Sequence, residues 1–102
     1  MNMSQEELTN AIKKLITVIK PVGVSDITFS LEEMGIRDKE YYMFVRYIVP
    51  DDSDYLKRGD IDLRVKWNNE MKKSIKNYFN ADVIINSTSI ASESYHNKQK
   101  QK

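Results

Sequence analysis

Acidic and basic side chains carry nearly all the reactive chemistry of this 102-residue chain, because cysteine is absent and the single histidine, His96, stands near the C-terminus. Nucleophilic catalysis needs a base held beside the nucleophile, and one histidine in an aperiodic polar segment does not supply it. The same shortage excludes a tetrahedral transition-metal site, which takes a second imidazole or a thiolate. Carboxylates remain. Asp51, Asp52, Asp54 and Asp60 crowd one segment. Their spacing is not that of a calcium loop, where acids alternate at fixed positions and end on a bidentate glutamate, so they read as a solvated loop. Arg58-Gly59-Asp60 spells an adhesion tripeptide and Asn86-Ser87-Thr88 a glycosylation sequon. Matches this short arise by chance, and both need an extracellular setting that nothing else suggests. No catalytic residue, cofactor site or metal ligand is assigned, and the chain is expected not to be an enzyme.

Two groups of residues are suited to binding instead. Tyr42, Phe44, Arg46 and Ile48 occupy alternate positions of the most apolar stretch, Tyr41 to Val49. The odd positions, Tyr41, Met43, Val45, Tyr47 and Val49, already supply a core face. The even ones are then left for a protein partner, unless the C-terminal tail or the segment from Pro50 to Gly59 folds over them. The second group is basic: Arg64, Lys66, Lys72, Lys73 and Lys76 could pair with nucleic-acid phosphates or simply form solvated surface. Residues 1–63 hold 8 Lys/Arg against 12 Asp/Glu, and residues 64–102 hold 8 against 3. Such polarity can mark an anion-binding end.

The elements that must position these groups follow from period and capping. Ser4 with Glu7 forms a capping box, and Met3 with Leu8 a hydrophobic staple, so a helix starts at about Gln5. Leu8, Ala11, Ile12, Leu15, Ile16 and Ile19 give it one apolar stripe, and Pro21 with Gly23 ends it. Ile27, Phe29 and Leu31 alternate with polar residues as a first strand; Gly35 to Lys39 supplies a turn, and Tyr41 to Val49 a second strand. From Asp60 to Trp67 the apolar residues Ile61, Leu63, Val65 and Trp67 alternate with Asp62, Arg64 and Lys66, which predicts a third strand. Met71, Ile75, Tyr78 and Phe79 then fit a helix capped at Asn68 or Asn69, and Val83-Ile84-Ile85 a fourth strand. Residues 92–102 show no period and read as a flexible polar tail behind a single domain over residues 1–91. Neither a signal peptide nor a membrane span is present in the pattern, so a soluble, cytoplasmic chain is expected.

The predicted fold is α+β with the order α-β-β-β-α-β. An antiparallel meander is followed by a crossover, giving a mainly antiparallel four-stranded sheet with both helices on one face and the other face open. This order resembles the core of the PD-(D/E)xK nucleases, and Pro50-Asp51 and Glu70-Met71-Lys72 supply fragments of their motif. However, Asp51 follows its strand, Glu70 to Lys72 falls in the first turn of a helix, and Asp62-Leu63-Arg64 puts arginine where the family uses lysine. Metal-dependent hydrolysis is therefore not expected. The run α-β-β-β-α with a lysine-lined helix is similar to the double-stranded RNA-binding domain, with Asp51-Asp52-Ser53-Asp54 in place of its basic loop. The order also looks like that of small tail-terminator and head-tail connector proteins of tailed phages. That resemblance implies ring assembly and a virion as an alternative location. The leading expectation is a non-enzymatic protein that binds a protein partner or self-associates as a homo-oligomer through Tyr42, Phe44, Arg46 and Ile48. The alternative is nucleic-acid binding through Arg64, Lys66, Lys72, Lys73 and Lys76.

Overall fold

The structure is a computed structural model that describes residues 4–33, 40–58 and 61–100. Its elements are α1 (Gln5–Ile19), β1 (Asp26–Glu33), β2 (Glu40–Val49), α2 (Asp54–Arg58), α3 (Ile61–Phe79), β3 (Asp82–Ser92) and α4 (Glu93–Lys100). α1 begins on the expected capping box. Ser4 Oγ accepts the Glu7 N–H at 3.1 Å, and Glu7 Oε1 accepts the Ser4 N–H at 3.3 Å. Met3, the expected staple partner of Leu8, lies outside the described residues, as does the turn from Gly35 to Lys39. Ser4→Ala should lower stability by about 1 kcal/mol, seen as an earlier denaturation midpoint, because it removes half of the capping box and leaves the Glu7 N–H without its acceptor. Beyond α1, Gly23 turns the chain at φ +87°. A Cβ there would also stand 2.9 Å from the Tyr55 ring, so both backbone and fit require glycine.

β1 and β2 pair antiparallel, with Ile27 opposite Tyr47 and Leu31 opposite Met43. Tyr41, Met43, Val45, Tyr47 and Val49 are buried with Leu8, Ile12, Leu15 and Ile16 of α1 and with α3, so both long helices share one sheet face. The predicted third strand is overturned, because Ile61 to Trp67 is the first part of α3. Four alternating apolar residues compete there with five at a spacing of four: Leu63, Trp67, Met71, Ile75 and Phe79. The longer stripe prevails because it seats Trp67 in the core, its ring centroid 4.9 Å from Tyr47 and 5.2 Å from Tyr55. Ile61 and Val65 are left 66% and 50% exposed. Asn68 is accordingly an interior residue of α3 and not its cap. The acidic segment expected as a loop contains α2, while Asp60 lies outside the described residues.

Asn80, at φ 52°, closes α3 and leads into β3. β3 is longer than the predicted Val83–Ile85 and pairs parallel with β2, so the described sheet has three strands in the order β1-β2-β3 and is mixed. The strand-helix-strand unit expected from the period is present, but β2 is its first strand. A register shift between Met43 and Phe44 moves the partner from Ile85 to Ser87. The extra residue, Asn86, reverses which side chains face the helices. Val83 and Ile85 pack toward the core, and beyond the bulge Thr88 and Ile90 take that side. The expected polar tail forms α4. No apolar period builds it; capping does. Ser92 Oγ accepts the Tyr95 N–H at 3.1 Å, and Asp51 accepts the Ser94 N–H at 3.0 Å and also its hydroxyl. No described helix is long and apolar enough to cross a membrane.

Candidate functional site

The sheet face opposite α1 and α3 is ordered in rows across the three strands. Asp26, Ile48 and Ala91 form one row, Thr28, Arg46 and Ser89 the next, then Ser30, Phe44 and Ser87, and last Glu32, Tyr42 and Ile84. α4 packs against β2 and β3. Ile48 and Ala91 are only 3% and 6% exposed although neither belongs to the main core. Ile48, expected at a partner interface, is buried within the chain itself, on a strand against which α4 packs. The C-terminal tail, the alternative cover for this face, packs as α4 against β2 and β3. Arg46 is tied to the same helix. Its Nε donates to Ser89 Oγ at 3.3 Å, its Nη1 donates to Gln99 Oε1, and its Cζ lies 5.9 Å from the Tyr95 ring centroid. His96, read from sequence as solvated, is half-buried on α4. Both its ring nitrogens are shielded from water and have no hydrogen-bond partner among the described residues.

The remainder of the face is uncovered by any described element. Tyr42 is 36% and Ile84 47% exposed, side by side on β2 and β3, next to half-buried Phe44. Between them and Arg46 runs a shallow groove of about 370 Å³ lined by Thr28, Ser30, Phe44, Arg46, Ser87 and Ser89. Tyr42, Phe44 and Arg46 thus share this one face. Ile84, Ser87 and Ser89 were missed, because only the pairing of β3 with β2 puts them there.

Asp51 fixes the near end of α4. The hydroxyl and N–H of Ser94 hold its carboxyl below the usual carboxylate range. A carboxyl lowered on folding stabilises above its unfolded value and ceases to do so as pH falls through the lowered one. The protection of the Ser94 and Tyr95 amides, taken relative to their intrinsic exchange at each pH, should therefore fall on acidification below about pH 4, and in Asp51→Ala it should already be lost at neutral pH.

The basic residues do not form one surface. Arg64 and Lys66, predicted on a third strand, stand on α3. Arg64, Asn68, Lys72 and Lys76 recur at every fourth position along β3. Arg64 Nη1 donates to Thr88 O at 3.5 Å, and Lys76 pairs with Asp82 at 3.2 Å. Lys66 and Lys73 lie on the outward side of the helix, with exposed Asp62 and Glu70 among them. Asn68 has a structural role: Tyr47 Oη donates to its Oδ1 at 3.0 Å, and its Nδ2 donates to Thr88 Oγ1 at 2.7 Å. Burial, with the Glu70 charge a smaller cause, pushes the Tyr47 hydroxyl well above its ordinary range, so it remains a donor. The nuclease fragments also separate, since Asp62, Glu70 and Lys72 share α3 and not adjacent strands. Among the described residues no three His, Cys, Asp or Glu side chains gather as a metal site.

No family model matches the chain, and no curated protein matches it. Solved structures of the MamM C-terminal domain do. A doubly substituted form matches with a TM-score of 0.54 and 10% identity over 86% of this chain and 95% of that one. A copper form matches at 0.51 and 11% over 88% and 96%, and a nickel form at 0.50 and 9% over 86% and 95%. At such identity the likeness concerns the fold: this is a small α+β domain with helices on a three-stranded sheet. Neither the phage resemblance nor the nucleic-acid reading gains support from these matches.

Proposed function

We propose that this domain acts without catalysis, as a protein-binding module that joins a second copy of the chain through the outer face of its sheet. The observation that carries the reading is the adjacency of exposed Tyr42 and Ile84 beside Phe44, on a face that α4 leaves partly open. Apolar side chains on neighbouring strands form a continuous strip, and a strip of this kind is stabilised by removal from water. The metals named for the MamM domains are not transferred, because the described residues supply no donor set for them. Dilution of the labelled chain should shift the NMR signals of Tyr42, Phe44 and Ile84 before those of α3. Concentration-dependent shifts confined to α3 or to β1 would put the interface elsewhere.

Nucleic-acid binding is the reading this proposal displaces. With Arg64 and Lys76 engaged and Glu70 between Lys66 and Lys73, affinity near physiological salt should be no tighter than about 10⁻⁴ to 10⁻⁶ M. A filter-binding titration giving nanomolar affinity, with a log-log salt slope near about −4 for five phosphate contacts, would restore the basic helix as the functional site.

A further inference from the structure

Arg46 is a half-buried cation whose hydrogen-bond and ring partners among the described residues are all neutral. The ion pairs between described residues join Lys57 to Asp54 and Lys76 to Asp82, and neither includes Arg46. The Arg46 guanidinium meets a serine hydroxyl, a glutamine amide oxygen and a tyrosine ring. Guanidinium stays protonated throughout the physiological range and has five N–H donors, of which these contacts use two. The groove beside it is lined by the hydroxyls of Thr28, Ser30, Ser87 and Ser89 and by the Phe44 ring, with no acidic side chain. A cation and several hydroxyl donors lining a concave groove, with Asp26 and Glu32 only in the rows to either side of it, are the elements of an oxyanion site. Gln99 holds a neutral oxygen where a charged one would bind more strongly.

We propose that this groove binds an oxyanion, a phosphate or a carboxylate group. Arg46 supplies the charge, and the hydroxyls of Thr28, Ser30 and Ser87 supply further donors. The incoming anion competes with Gln99 Oε1 for the guanidinium, so occupancy is linked to the hold of α4 on the sheet. The groove shares Phe44 with the surface proposed for self-association, so the two readings are separated by concentration. Below the concentration at which copies associate, a small anion is read on the single chain, and a chain that never associates leaves the test intact.

The test titrates inorganic phosphate, and separately acetate, at constant ionic strength, following the amides of Ser87 and Ser89 and the Arg46 Nε–H by NMR. Saturable shifts limited to the groove are expected with at least one anion. Saturation with phosphate alone assigns the phosphate class; saturation with acetate assigns carboxylate recognition. Arg46→Gln should weaken binding at least tenfold. Gln99→Glu supplies an internal carboxylate, and it should weaken binding to a similar extent while leaving the fold intact. Because Gln99 is exposed, that variant carries the test even if Arg46→Gln disturbs folding. Linear, unsaturated shifts with both anions, or saturation unchanged in Gln99→Glu, would overturn the proposal.

Discussion

Trp67→Ala is expected to lower stability by about 3–5 kcal/mol, read from chemical denaturation. Trp67 is 5% exposed and its ring meets Tyr47 and Tyr55, so the truncation empties the contact between α3, β2 and α2. Ile61→Ala and Val65→Ala should each change stability by no more than about 0.5 kcal/mol, since both side chains are largely in water. The contrast is what makes the prediction informative. On a strand, Ile61, Val65 and Trp67 would share one face and cost comparable amounts. On a helix only the residue in line with Met71 and Ile75 is expensive to remove. Equal losses at all three positions would return the segment to the sheet.

The second large effect concerns association. Phe44→Asp should weaken self-association by about 2 kcal/mol or more, at least thirtyfold, because it places a carboxylate in the centre of an apolar contact. Circular dichroism should remain that of the folded chain. Phe44 points away from the core that Met43 and Val45 complete, and one of its row neighbours is Ser87, which does not pack it in. An unfolded variant would make Phe44 a core residue and remove it from the interface.

The parts of this fold that were legible in the sequence are those where one local signal acts alone. Ser4 with Glu7 marked the start of α1, and the alternation from Ile27 to Leu31 and from Tyr41 to Val49 marked β1 and β2 with the correct faces. The segment from Ile61 to Trp67 carries two periods at once. Which one holds depends on whether Trp67 finds Tyr47 and Tyr55, a tertiary fact. β3 was seen only at Val83–Ile85 because its second half, Asn86-Ser87-Thr88-Ser89, is polar; an edge strand with one open face has no need of an apolar run there. α4 had no period to find. Its second cap, Asp51, is 43 residues away. The same separation explains the site. Tyr42, Phe44 and Arg46 could be placed from β2 alone. The burial of Ile48 and the arrival of Ile84, Ser87 and Ser89 depend on tertiary packing and strand pairing that no single segment encodes.

The claim on which the function rests is that the outer sheet face joins two copies, and light scattering on the eluting chain tests it most directly. The wild-type protein should rise with concentration from its 12.0 kDa chain mass toward twice that value, and Phe44→Asp should stay at the single-chain mass while folded. A wild-type mass that stays at one chain at every concentration, or a doubled mass that Phe44→Asp leaves unchanged, would contradict it.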